Sequence, residues 1–124
     1  MKLLLDTHVV LWATHDASRV SESARQLLSD PRHEVLLSAA VAWEIAIKRA
    51  LGKLRVRAGL ISELVRDGAT ALPVSVAHAE AVAHLPPHHR DPFDRLLVAQ
   101  ARAEGAVLVS ADPALRAYEV PVHW

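Results

Sequence analysis

The sequence predicts an α/β fold, a mainly parallel sheet with helices on both faces, and three observations carry that prediction. Short apolar runs ending at a polar residue occur at Leu3-Leu4-Leu5, Val35-Leu36-Leu37 and Ala106-Val107-Leu108-Val109, the pattern of parallel strands buried on both faces. Segments of helical character lie between them, opened by Ser or Asp and closed by Gly or Pro. Strand and helix therefore alternate, which requires βαβ crossovers.

In chain order, Leu3 to Leu5 is the first strand and His8 to Thr14 a helix carrying Val9, Val10, Leu11 and Trp12. Ser21 opens a second helix containing Leu27 and Leu28, and Pro31 closes it. Glu34 to Ser38 is the next strand. A long helix follows from about Ala39 to Leu51, stopped by Gly52. Leu60 to Arg66 is a short amphipathic helix ending near Gly68. Ala71 to Val74 is a brief edge strand, because Pro73 has no N–H to give a ladder. Ser75 caps a helix that reaches Leu85 before Pro86-Pro87. Asp91-Pro92 opens another that runs to Glu104 and ends at Gly105. Ala106 to Ser110 is the clearest buried strand, Asp112-Pro113 starts a last short helix, and Glu119 to His123 offers a final strand. No repeat, low-complexity tract or linker interrupts this series, so residues 1–124 read as a single domain.

Composition narrows the function classes. With 52% hydrophobic and 23% charged residues the chain is globular rather than disordered. Lys plus Arg equals Asp plus Glu at 14 each, so bulk charge points to no partner and any nucleic-acid reading rests on local charge. The absence of cysteine excludes disulfides and thiolate metal sites and fits a reducing cytoplasm. Asp6 ends the first apolar run well short of a signal-peptide core, and no run approaches the roughly 18 residues of a membrane helix. The expectation is a cytoplasmic protein with no membrane partner.

Four scattered acids carry the chemistry. In open α/β sheets, sites form beyond the carboxyl ends of the strands. Asp6 directly follows the first strand, and Asp112 lies two residues past Ser110. Asp94 is in the first turn of the helix before the Val107 strand, and Glu44 is about a turn into the helix leaving the second strand. Asp6 and Asp112 also read as helix caps. Asp91 is the better cap ahead of Asp94, which leaves Asp94 as an acid favoured by the helix dipole. Glu44 is hardest to explain structurally, because it is the only charge in an apolar stretch from Val35 to Ile47. A buried carboxylate needs a cation, a hydrogen-bond network or a proton; Lys48, one turn on, is one candidate cation. Two carboxylates about 5 Å apart repel by ~3 kcal/mol at an effective dielectric of 20, so four acids in one place call for protons or bound cations. All-oxygen donors suit Mg²⁺ or Mn²⁺, which activate water and stabilise the leaving oxygen in phosphodiester cleavage.

Leu4-Leu5-Asp6-Thr7-His8, Ser38-Ala39-Ala40-Val41-Ala42-Trp43-Glu44-Ile45, Arg90-Asp91-Pro92-Phe93-Asp94-Arg95-Leu96-Leu97-Val98-Ala99-Gln100-Ala101 and Ser110-Ala111-Asp112 occur in that order. Together these blocks resemble the PIN-domain ribonucleases, and within them the VapC-class toxins of bacterial toxin–antitoxin modules. The third block is the most specific. The resemblance implies a three-layer α/β/α sandwich, a Mg²⁺ or Mn²⁺ site and endonucleolytic cleavage of RNA. It carries over Asp6, Glu44, Asp94 and Asp112 as the acidic cluster, with Asp6 and Asp94 the most direct ligands. Thr7 and Ser110 match hydroxyl positions lining such sites, and Arg95 is a candidate phosphate contact. A homodimer and a cognate antitoxin are also implied, the antitoxin lying in a groove around Trp12, Leu27 and Trp43; plain core is the alternative for each of those residues.

Lys48, Arg49, Lys53, Arg55 and Arg57 place five positive charges within ten residues, the best local candidate for contact with an RNA backbone. The alternative is a solvated helix end, where cations favour the dipole. Few aromatics argue against extensive base stacking. His84, His88 and His89 flank Pro86-Pro87, their loop reads as exposed, and no zinc site is expected there; His8 reads as helping to fix its helix start. A haloacid-dehalogenase-type phosphotransferase would need a second Asp where His8 stands, and a response-regulator receiver a lysine after Ser110, where Ala111 stands. The remaining alternative is a catalytically silent PIN-like domain that binds RNA or a protein partner.

Overall fold

Leu3, Leu4 and Leu5 carry no group that seeks water, and the chain buries them at the centre of its sheet. The computed structural model describes residues 1–124. Its strands are β1 (Lys2–Leu5), β2 (Glu34–Ser38), β3 (Thr70–Leu72), β4 (Val107–Val109) and β5 (Val122–His123). The helices are α1 (Thr7–His15), α2 (Glu22–Ser29), α3 (Ala39–Ala50), α4 (Leu60–Arg66), α5 (Val76–Ala81) and α6 (Pro92–Glu104), with 3₁₀ turns at Ala17–Arg19, Val82–His84 and Pro113–Ala117. One sheet runs in the order β3-β2-β1-β4-β5, and every pairing is parallel. The result is a three-layer α/β/α sandwich.

Strand β1 has neighbours on both sides, Leu4 pairing with Leu36 on β2 and with Leu108 on β4. The chain leaves β1 towards β2 and β3, then returns across β1 to β4. Strand order reverses there, so a crevice opens between the carboxyl ends of β1 and β4, the usual ligand position in such sheets. Asp6 and Ser110 stand at its lip.

The helix ends follow from local chemistry. Asp6, Ser21, Ser38, Ser75, Asp91 and Asp112 each accept a backbone N–H at the start of the next helix or turn. Gly105 closes α6 at φ +62°, a left-handed conformation that suits glycine. Gln100, fully buried on α6, accepts from Ser38 Oγ at 2.5 Å and donates to Pro73 O at 3.2 Å. These bonds fasten α6 to the ends of β2 and β3, and so fix the helix that carries Asp94.

The expected elements are present with altered bounds. The Ser75 helix breaks into α5 and the 3₁₀ turn Val82–His84, because Pro86 and Pro87 have no N–H for the carbonyls of Val82 and Ala83, and Val82 O accepts instead from Leu85 N and Arg95. The helix after Asp112 is a 3₁₀ turn. The last strand shrinks to Val122–His123: Pro121 has no N–H, although its carbonyl accepts from Leu108. Twenty-two buried residues form the hydrophobic core, with Leu3, Leu4, Leu97, Val98, Leu108 and Leu115 wholly inaccessible. No helix is long and apolar enough to cross a membrane.

Candidate active site

Asp6 is the first residue past β1. Its N–H continues the ladder to Val109 O at 3.2 Å, while Oδ1 caps α1 by accepting from Val9 N at 2.9 Å. Oδ2 accepts from Ser110 Oγ, beside it at the end of β4. The cap reading and the site reading thus describe one side chain. Burial pushes the Asp6 pKa up; the Ser110 and Val9 hydrogen bonds oppose this, and the Asp112 charge adds to it.

Asp94 is set by the cap of α6, where Asp91 Oδ1 accepts from Phe93 N at 2.8 Å and from Asp94 N at 3.3 Å. Its pKa is pushed up to about 7, first by burial and then by the negative charges of Asp91 and Asp6, with Glu44 adding and His89 opposing. Asp112 follows Ser110, whose Oγ accepts from Asp112 N at 3.1 Å. Burial pushes its pKa up, but donation from Ala114 N and from His89 outweighs this and holds it below the ordinary value.

The histidine expected in an exposed loop lies instead between two of the acids. His89 Nε2 is 2.8 Å from Asp112 Oδ2 and 3.3 Å from Asp94 Oδ2, and it is only partly exposed. These three side chains have the spacing of a metal-ligand group. The imidazole is already oriented, however: Nδ1 accepts from Asp91 N at 3.0 Å, which puts the ring proton on Nε2. In this tautomer His89 donates to the carboxylates and has no lone pair to offer a cation between them. Its position in the segment leading to the Asp91 cap is the only sequence signal for it. His84 and His88 are exposed and stand outside the group.

Glu44, on α3, is buried as expected, and both of its oxygens are engaged. Oε1 accepts from Thr7 Oγ1 at 2.5 Å and Oε2 lies 2.6 Å from Lys48 Nζ. The Lys48 pKa is raised by that hydrogen bond, against burial, and further by the charges of Glu44, Asp91 and Asp94. The four acids therefore are not equivalent: Asp94 and Asp112 share His89, Asp6 is held by Ser110, and Glu44 has a resident ammonium. Thr7 and Ser110 each spend a buried hydroxyl on one acid.

Two of the candidate RNA contacts have partners within the fold. Lys48 serves Glu44 within the site. The Arg95 guanidinium donates to Pro86 O, Val82 O, Leu85 O and Tyr118 Oη at 3.0–3.2 Å, so it holds the turn before α6. Arg49 is exposed but donates through Nε to Val56 O at 2.7 Å, and Arg57 pairs with Glu63. Lys53 and Arg55 are exposed and make no ion pair. The groove expected around Trp12, Leu27 and Trp43 is not one feature. Trp12 lines a cleft with Asp6 and Asp112, Trp43 meets Phe93 in a separate apolar hollow, and Leu27 packs on the core.

A fully parallel sheet with this strand order and acids gathered at its switch point defines an acid-lined α/β domain. The sequence profile of the PIN domain matches residues 3–121, and the chain belongs to the PIN domain family. Among curated relatives, ribonuclease VapC16 of Mycobacterium tuberculosis is 44% identical over 66 residues, a match covering 51% of this chain and 45% of that protein's length. Among solved structures, VapBC2 from Rickettsia felis, crystallised with a DNA fragment from its promoter, superposes with a TM-score of 0.76 at 16% identity, covering 100% of this chain and 99% of the other. M. tuberculosis VapC20, described as a toxin cleaving the sarcin–ricin loop, superposes at 0.62 with 21% identity over 93% of each chain.

Proposed function

We propose that this chain is a Mg²⁺- or Mn²⁺-dependent endoribonuclease and the toxin of a toxin–antitoxin pair. The observation that carries the reading is the gathering of Asp6, Asp94 and Asp112 at one crevice, where burial first, and then the charges of Asp91 and Asp6, push the Asp94 pKa up to about 7. A buried carboxylate held protonated to about pH 7 beside other acids is one that a cation would relieve, and carboxylate oxygens are the donors such hard ions take. The name of VapC16 as a ribonuclease and the description of VapC20 as an RNA-cleaving toxin agree with this reading.

Asp6 and Asp94 would hold the cation directly, and Asp112, the most exposed of the four at 36% of its side chain, would act through water. Such a cation supplies Lewis-acid stabilisation of the charge developing on the phosphodiester and makes water more acidic. The protein's own groups supply position. Ser110 fixes one oxygen of Asp6, Thr7 and Lys48 hold Glu44 as a charge-balanced neighbour, and Asp91 orients His89 so that its Nε2–H steadies Asp112. Residues 1–124 act as one domain, as a homodimer in the cytoplasm, with RNA as substrate and an antitoxin protein as inhibitor.

Purified protein should cleave RNA with Mg²⁺ or Mn²⁺ and not in EDTA, and Asp94→Asn should lose at least about a hundredfold, a loss of ~2.7 kcal/mol or more in transition-state stabilisation. Equal trace cleavage by the two proteins would sink the catalytic reading and favour a silent binding domain. Expression should arrest growth, and co-expression of the cognate antitoxin should relieve it.

A further inference from the structure

We infer that His8, Trp12 and Arg19 form a subsite for one nucleotide of single-stranded RNA beside the acids, an assignment that rests on the ribonuclease reading above. One cleft is lined by Asp6 and Asp112 together with His8, Trp12 and Arg19. The arrangement follows from the start of α1. Thr7 turns inward to Glu44, whereas His8, the next residue, is exposed, and Trp12 lies one turn further along the same helix face. The His8 and Trp12 rings are 5.7 Å apart, and Trp124 backs Trp12 at the same separation.

Arg19 comes from the 3₁₀ turn after α1 and lays its guanidinium over the Trp12 ring, 4.5 Å from the centroid. It makes no ion pair, so the stack presents an unneutralised planar cation beside the acids. A flat aromatic and a guanidinium plane are what unpaired bases stack on, and the same guanidinium can meet the adjoining phosphate. Every base has such a face, so the subsite takes a splayed nucleotide and does not require a duplex. None of the basic residues from Lys48 to Arg57 lines this cleft.

The test is fluorescence anisotropy of the full chain in EDTA, using a labelled six-adenylate RNA and the same ribose-phosphate backbone without bases. Wild type should prefer the base-bearing strand by about tenfold or more, the order of one stacked base. Trp12→Ala should bind both strands equally, and Trp12→Phe should keep most of the preference. Arg19→Ala, at an exposed position, should weaken both strands and lower the salt slope by about one. Wild type with no preference, or Trp12→Ala with the full preference, overturns the subsite. So does a pair of variants that bind both strands normally but lose a protein partner. Metal-dependent cleavage lost in Asp94→Asn reports on the nuclease reading separately, so failure of the subsite and failure of that reading are told apart.

Discussion

Asp94 shows how one side chain can reveal the electrostatics of the site. Its proton is held to about pH 7 in the folded chain, while its unfolded value is the ordinary 3.8. A folded pKa above the unfolded one means that the native state binds the extra proton between these limits. Stability is therefore greatest below the lower value and falls as pH rises to about 7. In EDTA, the Tm of Asp94→Asn should exceed that of wild type at pH 8, and the gap should close as pH drops to 5. A gap independent of pH would mean that Asp94 is not the crowded group. Glu44 poses the converse case. Removing its cation with Lys48→Met strands a buried carboxylate at a cost of about 2 kcal/mol, reduced from the fully buried case because Lys48 is partly solvated. Thermal melts should drop by roughly 5–10 °C, and adding Glu44→Gln should restore much of the loss.

At the scale of elements, Arg95 is a clamp. Four acceptors from the 3₁₀ turn, the Pro86 loop and Tyr118 converge on it, so Arg95→Ala should cost about 2–3 kcal/mol by analogy with hydrogen bonds to charged groups. The melt should register this loss, while RNA affinity in EDTA should stay within about twofold; a tenfold fall in affinity at unchanged Tm would restore the phosphate role. Arg95 also marks where sequence reading stops. Helices α2, α3, α4 and α6 were legible because their caps and terminating residues are local, and Asp91-Pro92 together with Gly105 locates α6 almost to the residue. The hold of Arg95 on Val82 and Leu85 was not legible, since those carbonyls are ten or more positions away. Strand order was beyond reach for the same reason. At the site, the apolar stretch around Glu44 implied a partner, and Lys48 was nameable from helical spacing alone. His89 was not, because its importance comes from meeting Asp112 across 23 residues of chain.

For the whole molecule, the consequence lies in how the site is assembled. Asp6 ends β1, Glu44 rides on α3, Asp94 opens α6 and Asp112 follows β4, so the cluster exists only when the sheet and both helices are in place. A cation held by these acids binds the native state and has no comparable site in the unfolded chain, which makes metal affinity a direct contribution to folding. At free Mn²⁺ a hundred times its Kd the gain is about 2.7 kcal/mol, which for a chain of this length raises Tm by roughly 10 °C. Differential scanning fluorimetry against EDTA should show that rise for wild type. Asp6→Asn and Asp94→Asn should lose nearly all of it, and Asp112→Asn only part, since its exposed carboxylate acts through water. Glu44→Gln, whose native charge is already balanced by Lys48, should also keep part of the shift. An equal and complete loss in all four variants would mean that the acids form one symmetrical ligand shell after all. A Tm indifferent to Mn²⁺ in wild type would remove the cation from the site, and the crowding at Asp94 would then have to be relieved by protons alone.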